Sequence, residues 1–171
     1  MPENTNPELQ AHANGAPPVD SSNFYGLVVR DYEKTDTDIA TIDMARDLGP
    51  ATVLRNLTRW GRNVRDSVIT SPRFAAVNTS TALNRRMQSR DMTDDIVANQ
   101  TNLTTRFATA SVQHSVAAGL EVSSENSINH ARSAPDAPTA DLFHPNPDDP
   151  FVGPISRTGA KTDGHAVSTA A

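Results

Sequence analysis

The run IVANQTNLTTRFATASVQHSVAAGL, Ile96 to Leu120, is the stretch on which the fold turns. It lies within a longer span, Arg73 to Ala118, that contains neither proline nor glycine, although the chain has twelve prolines and eight glycines. Nothing in that span removes a backbone donor or favours a positive φ, and a long helix or helix pair is the expectation. Arg106 is the only formal charge from Ile96 to Leu120; the polar residues there are Asn, Gln, Thr and Ser. A monomeric surface helix normally carries Glu, Lys and Arg for solubility and for pairing four residues apart. Neither Lys nor Glu occurs between Arg73 and Leu120. Small uncharged polar side chains let helices approach closely at little desolvation cost. A self-association seam is therefore expected through Met92, Ile96, Asn99, Gln100, Leu103, Phe107, Ala110, Val112 and Val116.

Working outward, Asp38 is placed to cap a short helix with Ile39, Ile42, Ala45 and Leu48 at helical spacing, stopped by Gly49-Pro50. A second helix follows from Pro50 with Val53, Leu54, Leu57, Trp60, Val64 and Val68 on one side, ending at Thr70-Ser71-Pro72. The third carries a thin apolar stripe to Leu120, with a last piece to about Arg132. The fold class expected is all-α: a small helical hairpin or bundle with one long helix, forming an assembly domain over 38–132. Residues 1–22 hold four prolines among polar residues and are expected to be a disordered arm. Residues 23–37 read as an extended anchoring segment and 133–171 as a proline-rich extended tail. Phe24, Tyr25, Phe143 and Phe151 are the expected anchors of these arms.

The composition sets limits. Of 171 residues 36% are hydrophobic and 5% aromatic, so the expected core is small. There is no cysteine, which excludes disulfides and thiolate metal sites. The first ten residues lack a basic and then apolar leader, and no apolar run approaches the ~20 residues of a membrane-spanning helix. A soluble cytoplasmic protein, or part of a particle assembled inside the cell, is expected. The net charge of −5 is segregated, with acidic ends flanking a basic block that holds Arg55, Arg59, Arg62 and Arg65 against Asp66.

Those four arginines fall on one side of a helix. They fit either a grip on nucleic acid or a solvated face neutralised by Asp36, Asp38, Asp43 and Asp47. The histidines are dispersed with no metal-ligand spacing, and no nucleophile elbow, P-loop or GxGxxG is present. No enzyme activity, metal or cofactor is expected.

Val64-Arg65-Asp66-Ser67-Val68, and Ala98-Asn99-Gln100 followed by Ala108-Thr109-Ala110-Ser111-Val112, resemble the R-body (refractile body) structural proteins over about 64–120. The chain departs from that family in having one Gln where the family tends to a run, and in its long tails. The resemblance implies a non-enzymatic subunit that polymerises in a bacterial cytoplasm. The function expected is thus a structural subunit, an R-body-like polymer or a phage virion or scaffold component, whose partners are other copies or related helical subunits. The alternative is a nucleic-acid-binding helical module using the arginine face of 50–69.

Overall fold

The computed structural model describes residues 17–76 and 80–171. Residues 1–16 of the expected disordered arm, and Val77 and Asn78 of the expected long helix, lie outside them. The described residues contain no helix. They form six strands: β1 Tyr32–Gly49, β2 Thr52–Phe74, β3 Ala82–Thr109, β4 Val112–Ser133, β5 Ala140–Asp141 and β6 Ser156–Ala170. The sheet order is β1-β2-β3-β4-β6, with β5 pairing β3. β3 runs antiparallel to β4 from Met92↔Asn129 to Thr109↔Val112, and antiparallel to β5 through Ala82↔Asp141 and Leu83↔Ala140.

The all-α expectation is overturned, and the reason lies in the same residues that suggested it. Strand interiors exclude proline and disfavour glycine just as helices do. Leu103 and Phe107, and Val112, Val116 and Leu120, recur at intervals of four. Four is close to a helical turn, but it is also even, so it keeps residues on one face of a strand. The positions between decide. Val112, Val116, Ala118, Leu120 and Val122 alternate with Gln113, Ser115, Glu121 and Ser123, a period of two. The Thr- and Val-rich composition favours the extended backbone as well.

Two-residue connections, Pro50-Ala51 and Ala110-Ser111, join β1 to β2 and β3 to β4. Ala110 has φ 54°, which a hairpin turn of this length requires and an L-residue adopts at a cost.

The strands pass through two compact units. One comprises described residues 17–34, 66–76, 80–90 and 131–159. Its core is Leu83, Ala140 and Leu142, with Val19, Tyr25 and Phe143 packed against them. Tyr25 donates its hydroxyl hydrogen to the Leu142 carbonyl at 2.7 Å, and the Asn23 amide donates to the Phe143 carbonyl at 3.2 Å. The other unit comprises 35–65, 91–130 and 160–171. It is sheet throughout, apart from the two hairpin turns and the final residue.

Candidate functional site

In the unit formed by 35–65, 91–130 and 160–171, strand alternation sorts the side chains onto two faces of different chemistry. The β3–β4 register places Val97 beside Ser124, Asn99 beside Val122, Thr101 beside Leu120, Leu103 beside Ala118, Thr105 beside Val116 and Phe107 beside His114 on one face. No formally charged residue occurs among these pairs. The intervening pairs lie on the other face: Ile96 with Glu125, Gln100 with Glu121, Asn102 with Gly119 and Arg106 with Ser115. Leu103, Phe107, Val116, Leu120 and Val122 are all exposed on the first face, where the Phe107 and His114 rings stack with centroids 4.8 Å apart.

β1 and β2 continue both faces. Arg55 pairs with Asp43 and borders a concavity with Asn102, Thr104 and Gly119, which sets Arg55 and Asp43 on the polar face. Ile42 and Met44, the neighbours of Asp43, therefore point to the apolar face, and both are exposed. Arg46 shares their parity and sits near the Pro50-Ala51 turn. The polar face also borders a cavity of about 670 Å³, lined by Arg59, Asn63, Asp94, Glu125 and Ser127 among others. Gly61 makes room there: a Cβ on it would lie 3.1 Å from Ile96 Cγ2.

The polar groups on the apolar face satisfy one another. Asn56 and Asn99 exchange amide hydrogen bonds at 3.1 Å in each direction. Asn56 also donates to the Thr101 hydroxyl at 2.8 Å, and Asn99 to the Thr58 hydroxyl at 2.7 Å. The Thr52 and Thr105 hydroxyls lie 2.8 Å apart. Reciprocal bonding of this kind satisfies the amides within the sheet itself.

The other unit is organised by two buried arginines. Arg85 donates to the carbonyls of Tyr25 at 2.9 Å and Asn146 at 2.7 Å, and to the Asp149 carboxylate at 2.7 Å. Arg30 donates to Asp31 at 2.8 Å and to the Arg85 carbonyl at 3.3 Å, with the Phe151 ring 5.4 Å from its guanidinium. Both side chains are fully shielded from solvent. They tie the irregular segments 23–31 and 138–151 to β3. Nothing in the linear sequence marks Arg85, because its partners lie 53 to 64 residues away.

The residues singled out from the sequence are distributed as follows. On a strand Arg55, Arg59 and Arg65 share one parity and Arg62 the other, so the four do not form one face. Arg55 is paired with Asp43, and Arg62 lies 3.9 Å from Asp95. Of the expected seam, Asn99, Leu103, Phe107, Val112 and Val116 fall on the apolar face, while Met92, Ile96 and Gln100 fall on the polar one. Ala110 occupies the hairpin turn. Of the expected anchors, Tyr25, Phe143 and Phe151 pack within their unit and Phe24 is exposed.

No protein-family profile matches the chain. It is 33% identical over 162 residues to the catecholate siderophore receptor Fiu of Escherichia coli O157:H7, covering 90% of this chain and 21% of that protein. It is 28% identical over 156 residues to a probable TonB-dependent receptor, BfrD, of Bordetella pertussis, covering 81% of this chain and 21% of that one. The chain thus spans about a fifth of the length of these curated relatives. Among solved structures, it superposes on the closed form of the ferric-catecholate import receptor Fiu of Escherichia coli K12 with a TM-score of 0.78 and 30% identity, covering 95% of this chain and 24% of that one. On the siderophore receptor PiuA of Acinetobacter baumannii the TM-score is 0.70 at 19% identity, over 89% and 25% of the two chains, a likeness of fold.

These likenesses correct several expectations. The relatives are siderophore receptors and not R-body proteins, so the resemblance over 64–120 does not hold. The self-assembling structural subunit, the nucleic-acid-binding alternative and the partnership with further copies are overturned with it. So is the cytoplasmic location, since an import receptor works at a membrane. The physical reason is common to all: an uncharged surface that would suit a seam between helices is here one face of a sheet. The expectation of a non-enzymatic chain agrees with relatives described as receptors. Over most of its own length the chain is similar to about a fifth of a catecholate siderophore receptor.

Proposed function

We propose that this chain forms part of the membrane-spanning β-barrel wall of an outer-membrane receptor, of the TonB-dependent class, that takes up ferric catecholate siderophores. The observation that carries the proposal is the two-faced β3–β4 hairpin. Its apolar face is free of formal charge from Val97 to Phe107, eleven residues. A tilted strand needs about 9–11 residues to cross a bilayer. The opposite face holds Arg106, Glu121, Glu125, Gln100 and Asn102, the polar lining of a barrel interior. The two-residue turns at Pro50-Ala51 and Ala110-Ser111 are of the short kind that closes barrel strands on the periplasmic side. Among the described residues no helix is long and apolar enough to cross a membrane, and a wall of hydrogen-bonded strands needs none. The substrate class follows from the relatives, which are named for catecholate siderophores.

The chain has no cysteine, so single cysteines introduced from residue 97 to 109 report their own surroundings. Spin labels at those sites in phospholipid vesicles should alternate, with odd positions accessible to oxygen dissolved in the bilayer and even positions to a water-soluble nickel chelate. Uniform accessibility along the strand would refute the membrane-spanning assignment.

A further inference from the structure

In the unit of 35–65, 91–130 and 160–171, the apolar face of the sheet changes character where it approaches the two hairpin turns. Arg46 lies on that face four residues before Pro50, between Met44 and Leu48, which share its parity and are both exposed. Its chain neighbour Asp47 points to the opposite face, where Arg55 engages Asp43. Across the same turn, the Thr52 hydroxyl lies 2.8 Å from that of Thr105 on β3. Two hydroxyls use one hydrogen in such a bond, and the other is available to an outside oxygen. Beside the second turn, Phe107 and His114 stack with centroids 4.8 Å apart and rings inclined by 26°. The rim of the apolar face thus carries a guanidinium, a hydroxyl pair and two aromatic rings, while its middle carries aliphatic side chains such as Leu103, Leu120 and Val122.

Resting on the receptor reading above, we propose that Arg46, with the Thr52–Thr105 hydroxyl pair and the Phe107–His114 stack along the same rim, seats the phosphodiester headgroup of an anionic phospholipid in the leaflet next to the short turns. At ~3.3 Å per residue and a tilt of ~45°, four residues of strand span about 9 Å of depth, so Arg46, Phe107 and His114 all lie within that distance of their turns. An arginine at that depth keeps its stem against hydrocarbon and extends its head to the headgroup layer. A phosphodiester there offers one negative charge on two adjacent oxygens, which the planar fork of a guanidinium meets in pairs. The glycerol ester carbonyls just inside the phosphate are acceptors for a threonine hydroxyl, and rings with one polar edge favour the same layer. The apolar surround selects a phosphate that carries acyl chains over a free one, because the chains cover Met44 and Leu48 while the phosphate meets Arg46.

The test places a bimane fluorophore on Leu48→Cys, two residues from Arg46 in a chain that has no other cysteine. The intact chain in phosphatidylcholine vesicles is titrated with phosphatidylglycerol or phosphatidylcholine bearing a nitroxide on an acyl chain, and quenching reports which lipid occupies the rim. Phosphatidylglycerol should be preferred by about fivefold, and the preference should fall as salt is added. Arg46→Gln should bring the ratio to about one, and Arg46→Lys should keep a smaller, salt-dependent preference, because an ammonium attracts phosphate without the fork. Arg106→Gln, near the second turn but on the opposite face, removes the same net charge and should change nothing. Arg46 and Arg106 are both exposed, so unchanged far-ultraviolet spectra certify the fold. A preference that survives Arg46→Gln, or that Arg106→Gln removes equally, overturns the lipid seat and leaves the receptor reading standing. Competition by inorganic phosphate at matched ionic strength would assign the arginine to free anions and overturn the seat as well. Quenching by neither lipid overturns both readings.

Discussion

Leu103 sits at the centre of the uncharged face, six residues from Val97 and six from Thr109. At ~3.3 Å per residue and a tilt of ~45°, each half of that window covers about 14 Å of depth. In the proposed barrel wall Leu103 would lie near the middle of a hydrocarbon layer about 30 Å thick, where an arginine on the lipid side costs about 2–4 kcal/mol. Leu103→Arg should therefore shift the folding equilibrium by roughly 30-fold to 1,000-fold. Were the same face wet, the substitution at this exposed position would cost no more than about 0.5 kcal/mol. Thr104, one residue on, faces the polar side opposite Ala117, and Thr104→Arg provides the internal control with an expected change under about 0.5 kcal/mol. Equilibrium urea unfolding in phospholipid vesicles, followed by the single tryptophan Trp60, measures both variants against the starting protein. Equal and small effects at 103 and 104, or a larger cost at 104, would refute the assignment of faces.

Arg85→Ala should destabilise the unit it organises by about 3–5 kcal/mol, because the Asp149 carboxylate and the Tyr25 and Asn146 carbonyls would lose a buried cationic donor. Faster proteolysis between 134 and 155 is the readout, and unchanged cleavage would show the hub to be dispensable. Ala110→Asn should stabilise by about 0.5–1 kcal/mol, since Asn tolerates the positive φ of the turn without the chain entropy that Gly adds to the unfolded state; a lowered urea midpoint would contradict it. The Asn56→Ala and Asn99→Ala double-mutant cycle should give a coupling of about 0.6 kcal/mol, as for side-chain bonds within membranes, and simple additivity would mean that the amides bond elsewhere. The Asp141 carboxyl is held below its ordinary value of 3.8, first by the backbone N–H of His144 and further by that of Phe143. Its stabilisation is therefore fully present above pH 3.8 and disappears as the pH falls through the lowered native value. Asp141→Asn should remove that part of the acid sensitivity, and an unaltered acid transition would count against it.

How much of this was legible beforehand is clearest in the arginines. Arg55, Arg59, Arg62 and Arg65 stand out in sequence because they are close together, and Asp43 was among the acids proposed to neutralise them, as it does for Arg55. Arg30 and Arg85 attract no notice in sequence, yet they are the buried ones. Burial of a guanidinium depends on carbonyls brought from distant segments, and no local pattern encodes which carbonyls those are.

The sequence by itself determined that much of 73–118 is regular secondary structure, which the structure divides among β2, β3 and β4, and that one long surface of the chain carries almost no charge. Both statements hold in the strand wall. Tertiary structure alone decided between a helix and a strand for that span, because intervals of four satisfy either geometry and the cost of exposing an apolar face depends on what it meets. Pairing of β3 with β4 fixed the parity, and parity sent Leu103 and Val116 to one side and Gln100 and Glu121 to the other. An uncharged surface beside a charged one is a poor solution for a helix in water and the required one for a strand between lipid and an aqueous interior.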